Sequence, residues 1–146
     1  MFFMGVPVSK VMVKRVITCD VSVTLQAASK VMKNKKIGCL IITKNKKPVG
    51  ILTEVDITYK GMAENLDGTK VQVQKIMSSP LKMISPNQDV YYAENMMNKN
   101  KIKKLPVIKS GKMVGILTQT DIIDYFTKQR KTLALERFKK ELKSIK

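Results

Sequence analysis

Apolar residues follow two rhythms along this chain, and the same order of rhythms occurs twice. A short apolar segment, VITC at Val16–Cys19, gives way to turn residues and then to Leu25, Ala28 and Met32, which share one face of a helix. CLIIT at Cys39–Thr43 reads as a buried strand, KNKK as a polar turn and PVGILT as a second strand closing a hairpin. The second pass has LKMI at Leu81–Ile84, the helical positions Val90, Ala93 and Met97, the strand LPVI at Leu105–Ile108, the turn KSGK and the strand MVGILT. After each second strand a TxxD element starts another helix. This order predicts a mixed α/β unit of the α+β type, a small three-stranded sheet flanked by helices, with a largely antiparallel hairpin.

A constant shift of 65 residues carries Gly50 onto Gly115, Thr53 onto Thr118 and Asp56 onto Asp121. It also carries Val8 onto Val73, Met12 onto Met77, Ala28 onto Ala93 and Leu40 onto Leu105 without a gap. Chance matches do not hold register over such a span, so the chain is an internal duplication. A long period present twice implies two matched halves rather than a solenoid. One half of roughly sixty residues would be marginal alone, and two halves packing through a pseudo-twofold axis solve the problem. The expected boundaries are 1–64 for the first repeat, 65–72 for a linker, 73–127 for the second repeat and 128–146 for a helical extension, all in one compact module.

The repeated TxxD admits two readings. In one it is a capping box: threonine accepts from the free N–H groups of a helix start, and the acid three residues on reaches back to the cap's own N–H. Gly50 and Gly115 then serve close backbone approach. In the other, the same helix start meets a ligand, with N–H groups and hydroxyl toward phosphate and the carboxylate gripping neighbouring ribose hydroxyls. The two are compatible, because a cap already sets these groups at the edge of a cleft.

Composition narrows the chemistry. The chain is 44% hydrophobic over 146 residues, enough for a real core. It has no histidine, no phosphate loop of the GxxxxGK[ST] or GxGxxG type and two isolated cysteines, so catalysis and metal binding are poorly supported. Cys19 and Cys39 lie in strand-like segments and read as buried thiols rather than a disulfide. No apolar run approaches the ~20 residues needed to span a bilayer, and the opening MFFMGVPVSKVM lacks the marks of a secretory signal. A cytoplasmic protein is expected. The balance of 28 basic against 11 acidic residues gives +17 and attracts polyanions, nucleic acid among them. Only Arg15, Arg130 and Arg137 are arginine, so lysine point charges dominate over the arginine forks that read bases.

The linked features VSKVM and VQKIM, IGCLII and KKLPVI, VGILTEVDI and VGILTQTDI together resemble the tandem cystathionine-β-synthase (CBS) domain pair, or Bateman module, from about Val8 to Asp124. The resemblance implies a non-catalytic sensor that binds adenosine-containing ligands (AMP, ADP, ATP, S-adenosylmethionine or methylthioadenosine) between the repeats, without a separate cofactor. It implies that Asp56 and Asp121 hold ribose diols, with Thr53 and Thr118 at the ribose or phosphate end. One cleft would combine Thr118 and Asp121 with Thr18, Ile37, Gly38 and Cys39. The other would combine Thr53 and Asp56 with Met83, Ile102, Lys103, Lys104 and Pro106. Lys103 and Lys104 suit phosphates where Gly38 and Cys39 cannot, so the Asp56 cleft is expected to prefer phosphorylated adenosine. The Asp121 cleft would tolerate an uncharged or cationic adenosyl group. A homodimer and a separate regulated protein are the expected partners; the alternative is a basic nucleic-acid-binding protein on the same scaffold.

Beyond the repeats, Leu135, Phe138, Leu142 and Ile145 are spaced 3, 4 and 3 apart among lysines and predict an amphipathic helix. It could fold back on its own domain, form a dimer or docking contact, or lie on a membrane surface.

Overall fold

In the computed structural model, which describes residues 5–145, the opening VSKV forms one helical turn, α1 (Val8–Val11). It is followed by β1 (Thr18–Asp20), α2 (Leu25–Lys35) and the hairpin β2 (Cys39–Lys44) and β3 (Lys47–Thr53). The first TxxD starts a short turn, α3 (Glu54–Asp56), which runs into a π-helical turn at Ile57–Met62. The second half has a 3-10 turn at Val73–Lys75, α4 (Val90–Asn100), the hairpin β4 (Lys104–Lys109) and β5 (Lys112–Thr118), and α5 (Gln119–Ser144).

Local chemistry accounts for these limits. The Thr24 hydroxyl accepts from the Ala27 N–H at the start of α2, and the Asp89 carboxylate from the Tyr91 N–H at the start of α4. Both helices stop at matched left-handed lysines, Lys36 and Lys101, whose N–H groups close back onto the last turn. The hairpins turn through Asn45–Lys46 and Ser110–Gly111, all with positive φ, the backbone that matches the twist of the flanking strands.

The two halves differ in their sheets. In the first, β1 pairs parallel with β2, and β2 antiparallel with β3. In the second, the expected third strand is reduced: β4 and β5 form a two-stranded sheet, and the LKMI segment contributes only the bridge of Ile84 to Val107. Proline explains the loss. In the first half the Ile41 N–H donates to Ile17 and the Val21 N–H to Thr43. The matching positions are Pro106 and Pro86, which have no N–H to give.

The halves exchange their opening segments. Val8 and Val11 are buried with Val90, Ala93, Met97, Leu105 and Leu117 of the second half. Val73 and Ile76 are buried with Leu25, Ala28, Met32, Leu40 and Leu52 of the first. The backbone repeats the exchange: Val13 bridges Ile116 while Ser78 bridges Ile51, and Pro7 bridges Asp89 while Gln72 bridges Thr24. Gly50 and Gly115 lie where these segments cross. A Cβ on Gly50 would stand 2.7 Å from Met77 Sδ and 3.0 Å from the Ser78 carbonyl; one on Gly115 would stand 2.8 Å from Met12 Sδ and 2.9 Å from the Val13 carbonyl. Neither core is complete without the other half's opening turn.

Candidate functional site

Both TxxD elements are complete capping boxes. Thr53 Oγ1 accepts from the Asp56 N–H at 3.2 Å, and Asp56 Oδ2 accepts from the Thr53 N–H at 3.0 Å. The second copy matches: the Asp121 N–H donates to Thr118 Oγ1 and the Thr118 N–H to Asp121 Oδ2, each at 3.1 Å. The cap is therefore present in both copies, and it leaves one carboxylate oxygen on each aspartate outside the backbone arrangement.

That second oxygen separates the copies. Asp56 is buried, and its Oδ1 lies 3.0 Å from Lys60 Nζ while accepting from the Ser78 hydroxyl at 3.3 Å. Lys60 Nζ also lies 3.4 Å from Ser78 Oγ and from the Ile76 carbonyl, tying the π-helical turn to the crossing segment. At the matching places the second half has Tyr125 for Lys60 and Val13 for Ser78. Asp121 is only half-buried, and its cap bonds are the contacts its side chain makes among the described residues.

Around Asp56 the halves enclose a cavity of about 400 Å³. Thr53, Asp56, Ile102, Lys103, Lys104 and Pro106 all line it, so the structure brings together six of the seven residues named for this cleft. Met83 is outside; it is 47% exposed, and Pro80, Leu81 and Lys82 form that wall instead. Met83 is the repeat mate of Thr18, but its segment is not a strand, so the match in number does not carry a match in direction. Ser78, Lys82 and Lys101 were missed. Ser78 is a polar residue where its repeat mate is Val13, a difference visible in the duplicated frame.

The other proposed set is not gathered in the same way. Thr18 is exposed on β1, Cys39 faces Thr53 across the hairpin, and Thr118 and Asp121 cap α5. Ile37 and Gly38 line a shallow groove beside Ser29, Lys33 and Glu54 that includes neither Thr118 nor Asp121. Gly38 also lies beneath two opposite charges: a Cβ there would stand 2.5 Å from Glu54 Oε1 and 2.9 Å from Lys104 Nζ. The Lys104 ammonium thus reaches across to the first repeat as well as lining the Asp56 cavity. Both cysteines are free and half-buried rather than fully buried. Burial pushes the Cys19 thiol upward, with the Asp20 charge adding to it. Burial likewise raises Cys39, with Lys104 opposing and Glu54 reinforcing.

The crossed halves, paired caps and shared cavity agree with a family match: the CBS domain model matches residues 8–62 and 73–128. The chain belongs to the CBS-domain family. An uncharacterised protein of Methanocaldococcus jannaschii is 31% identical over 142 residues, covering 88% of this chain and 34% of that protein. Two more from the same organism are covered over 64% and 39% of their lengths, so the chain spans less than two thirds of these relatives. Hypoxic response protein 1 of Mycobacterium tuberculosis is 31% identical over 68% of this chain and 70% of its own. Among solved structures, a hexameric CBS-CP12 protein from bloom-forming cyanobacteria superposes with a TM-score of 0.78 at 33% identity, over 82% of this chain and 67% of that one. No helix among the described residues is long and apolar enough to cross a membrane.

Proposed function

We propose that this protein is a regulatory module that binds an adenosine-containing ligand between its repeats and passes the event to a partner as a change in repeat packing or in self-association. One observation carries the reading: a cavity of about 400 Å³ in which the capped aspartate of one repeat faces the basic strand edge of the other. The volume suits a nucleoside monophosphate-sized molecule. Lys82, Lys101, Lys103 and Lys104 offer ammonium groups to phosphate, while Ile51, Leu81, Ile102 and Pro106 offer apolar surface to a base. The ribose diol would take the place of the Ser78 hydroxyl on Asp56 Oδ1.

On the Asp121 side Gly38 and Cys39 stand at the places of Lys103 and Lys104, and the carboxylate has an oxygen outside the cap, which suits an adenosyl group without phosphate. The reading requires no reaction of the ligand. A homodimer in solution is part of the proposal, as the route by which a change at the repeat interface reaches a second protein.

Native mass spectrometry of the purified protein should find an adenosyl compound bound, and calorimetry should show AMP binding that Asp56→Asn weakens. If neither AMP, ATP nor S-adenosylmethionine binds the wild-type chain, or if crystals grown in AMP leave both clefts empty, the proposal fails.

A further inference from the structure

Helix α5 changes its apolar side partway along. Near its start the side toward the body carries Ile122, which is buried, and Tyr125, which packs on the same core. Phe126 stands beside Tyr91 of α4, with ring centres 6.4 Å apart. Followed at 3.6 residues per turn, the side begun by Ile122 continues through Gln129, the exposed Leu133, Glu136, Lys140 and Lys143, and is charged beyond Leu133. Ala134, Leu135, Phe138, Leu142 and Ile145 gather on roughly the opposite side, within about a third of the circumference. The four large side chains of that stripe are 50% to 81% exposed. The extension does not fold back onto its own domain.

We propose that this stripe attaches the protein to an anionic phospholipid surface, with the distal half of α5 lying in the plane of the headgroups. Charge complementarity selects the occupant. Residues 128–145 hold seven lysines and arginines against two glutamates; Lys128, Arg130, Arg137 and Lys139 flank the apolar stripe, and Lys131 stands on its line one turn before Leu135. A basic helix with one apolar face fits a surface that offers anionic headgroups above acyl chains. A second copy fits less well, because the stripe spans only two heptads and a self-paired seam needs three or four. A nucleic acid would use the lysines but leave the stripe in water. Attachment here leaves the cavity between the repeats unobstructed, since its walls come from β3, α3, the stretch 101–106 and the segment at Ser78–Lys82.

The test is sedimentation of the whole chain with phosphatidylcholine vesicles and with mixed phosphatidylcholine–phosphatidylglycerol vesicles. The chain should sediment with the mixed vesicles only and be released by salt. Phe138→Glu should weaken this by about tenfold or more. Lys44→Ala lowers the net charge by the same amount at the exposed end of β2 and should change it little. Both positions are exposed, so thermal unfolding should report intact folds. No sedimentation with the mixed vesicles at low salt overturns the proposal. So do equal losses from the two variants, which would mean attraction by net charge alone. A solution mass of two chains that Phe138→Glu reduces to one overturns it as well, because a second copy would then cover the stripe.

Discussion

The Lys60 ammonium stands 3.0 Å from Asp56 Oδ1 at the wall of the inter-repeat cavity, and the second repeat has Tyr125 in place of that lysine. The duplicated TxxD elements are therefore equal as helix caps and unequal as carboxylates. Asp56 is buried and engaged on both oxygens. Asp121 is half-buried and engaged, among the described residues, through its cap alone.

This inequality predicts different costs on truncation. Asp56→Ala removes a cap, the Ser78 hydrogen bond and the partner of Lys60, and should lower stability by about 2–3 kcal/mol. Asp121→Ala removes the cap and should cost about 1 kcal/mol. The half-exposed Lys60 pair adds well under about 1 kcal/mol to the difference. Urea denaturation of the two variants measures both; equal losses would mean that Ser78 and Lys60 contribute nothing.

The lysines of the cavity should sort ligands by phosphate. A hydrogen bond to a charged group contributes roughly 1.5–3 kcal/mol, so Lys103→Ala or Lys104→Ala should weaken AMP or ATP about 10- to 150-fold. S-adenosylmethionine, lacking phosphate, should be affected far less. Calorimetry with the three compounds decides; unchanged nucleotide affinity in both variants would remove the phosphate assignment.

The crossing of the opening segments predicts a sharp difference between glycines. Gly50→Ala drives a Cβ against Met77 Sδ and the Ser78 carbonyl, and Gly115→Ala against Met12 Sδ and the Val13 carbonyl. Each should destabilise the protein by about 1–3 kcal/mol through overpacking. Gly68 has nothing nearer than 3.7 Å to a Cβ, so Gly68→Ala should be neutral or slightly stabilising. Thermal unfolding of the three variants compares them directly.

The thiols make a pH prediction. Burial raises both Cys19 and Cys39 above the ordinary thiol value, so each holds its proton in the folded chain where the unfolded chain has lost it. The unfolded state then binds fewer protons, and stability falls as pH rises through the ordinary thiol range. Both cysteines should also react with iodoacetamide more slowly than a free thiol at mildly alkaline pH, and reach that rate only on unfolding. Labelling across that range, with and without urea, checks the sign.

Much of this protein was legible as a string of residues because its signals are local. The caps at Thr53 and Thr118, the hairpin turns and the apolar faces of α2 and α4 each depend on neighbours within a few positions, where helix and strand periodicity act, and the 65-residue shift is the same local pattern written twice. The same frame pointed to six residues that the fold does gather around one cavity. Periodicity reports which side of an element is apolar, but not which of two equivalent surfaces it will meet. Only tertiary packing could therefore decide that Val8 and Val73 cross to the opposite cores. It also decided that Pro86 and Pro106 strip the second sheet of a strand and leave Met83 outside the cavity, and that Lys60 and Ser78 converge on Asp56 but have no counterparts at Asp121. These outcomes arise from contacts between residues far apart in the chain, where shape and hydrogen-bond supply select among arrangements that local pattern leaves equal.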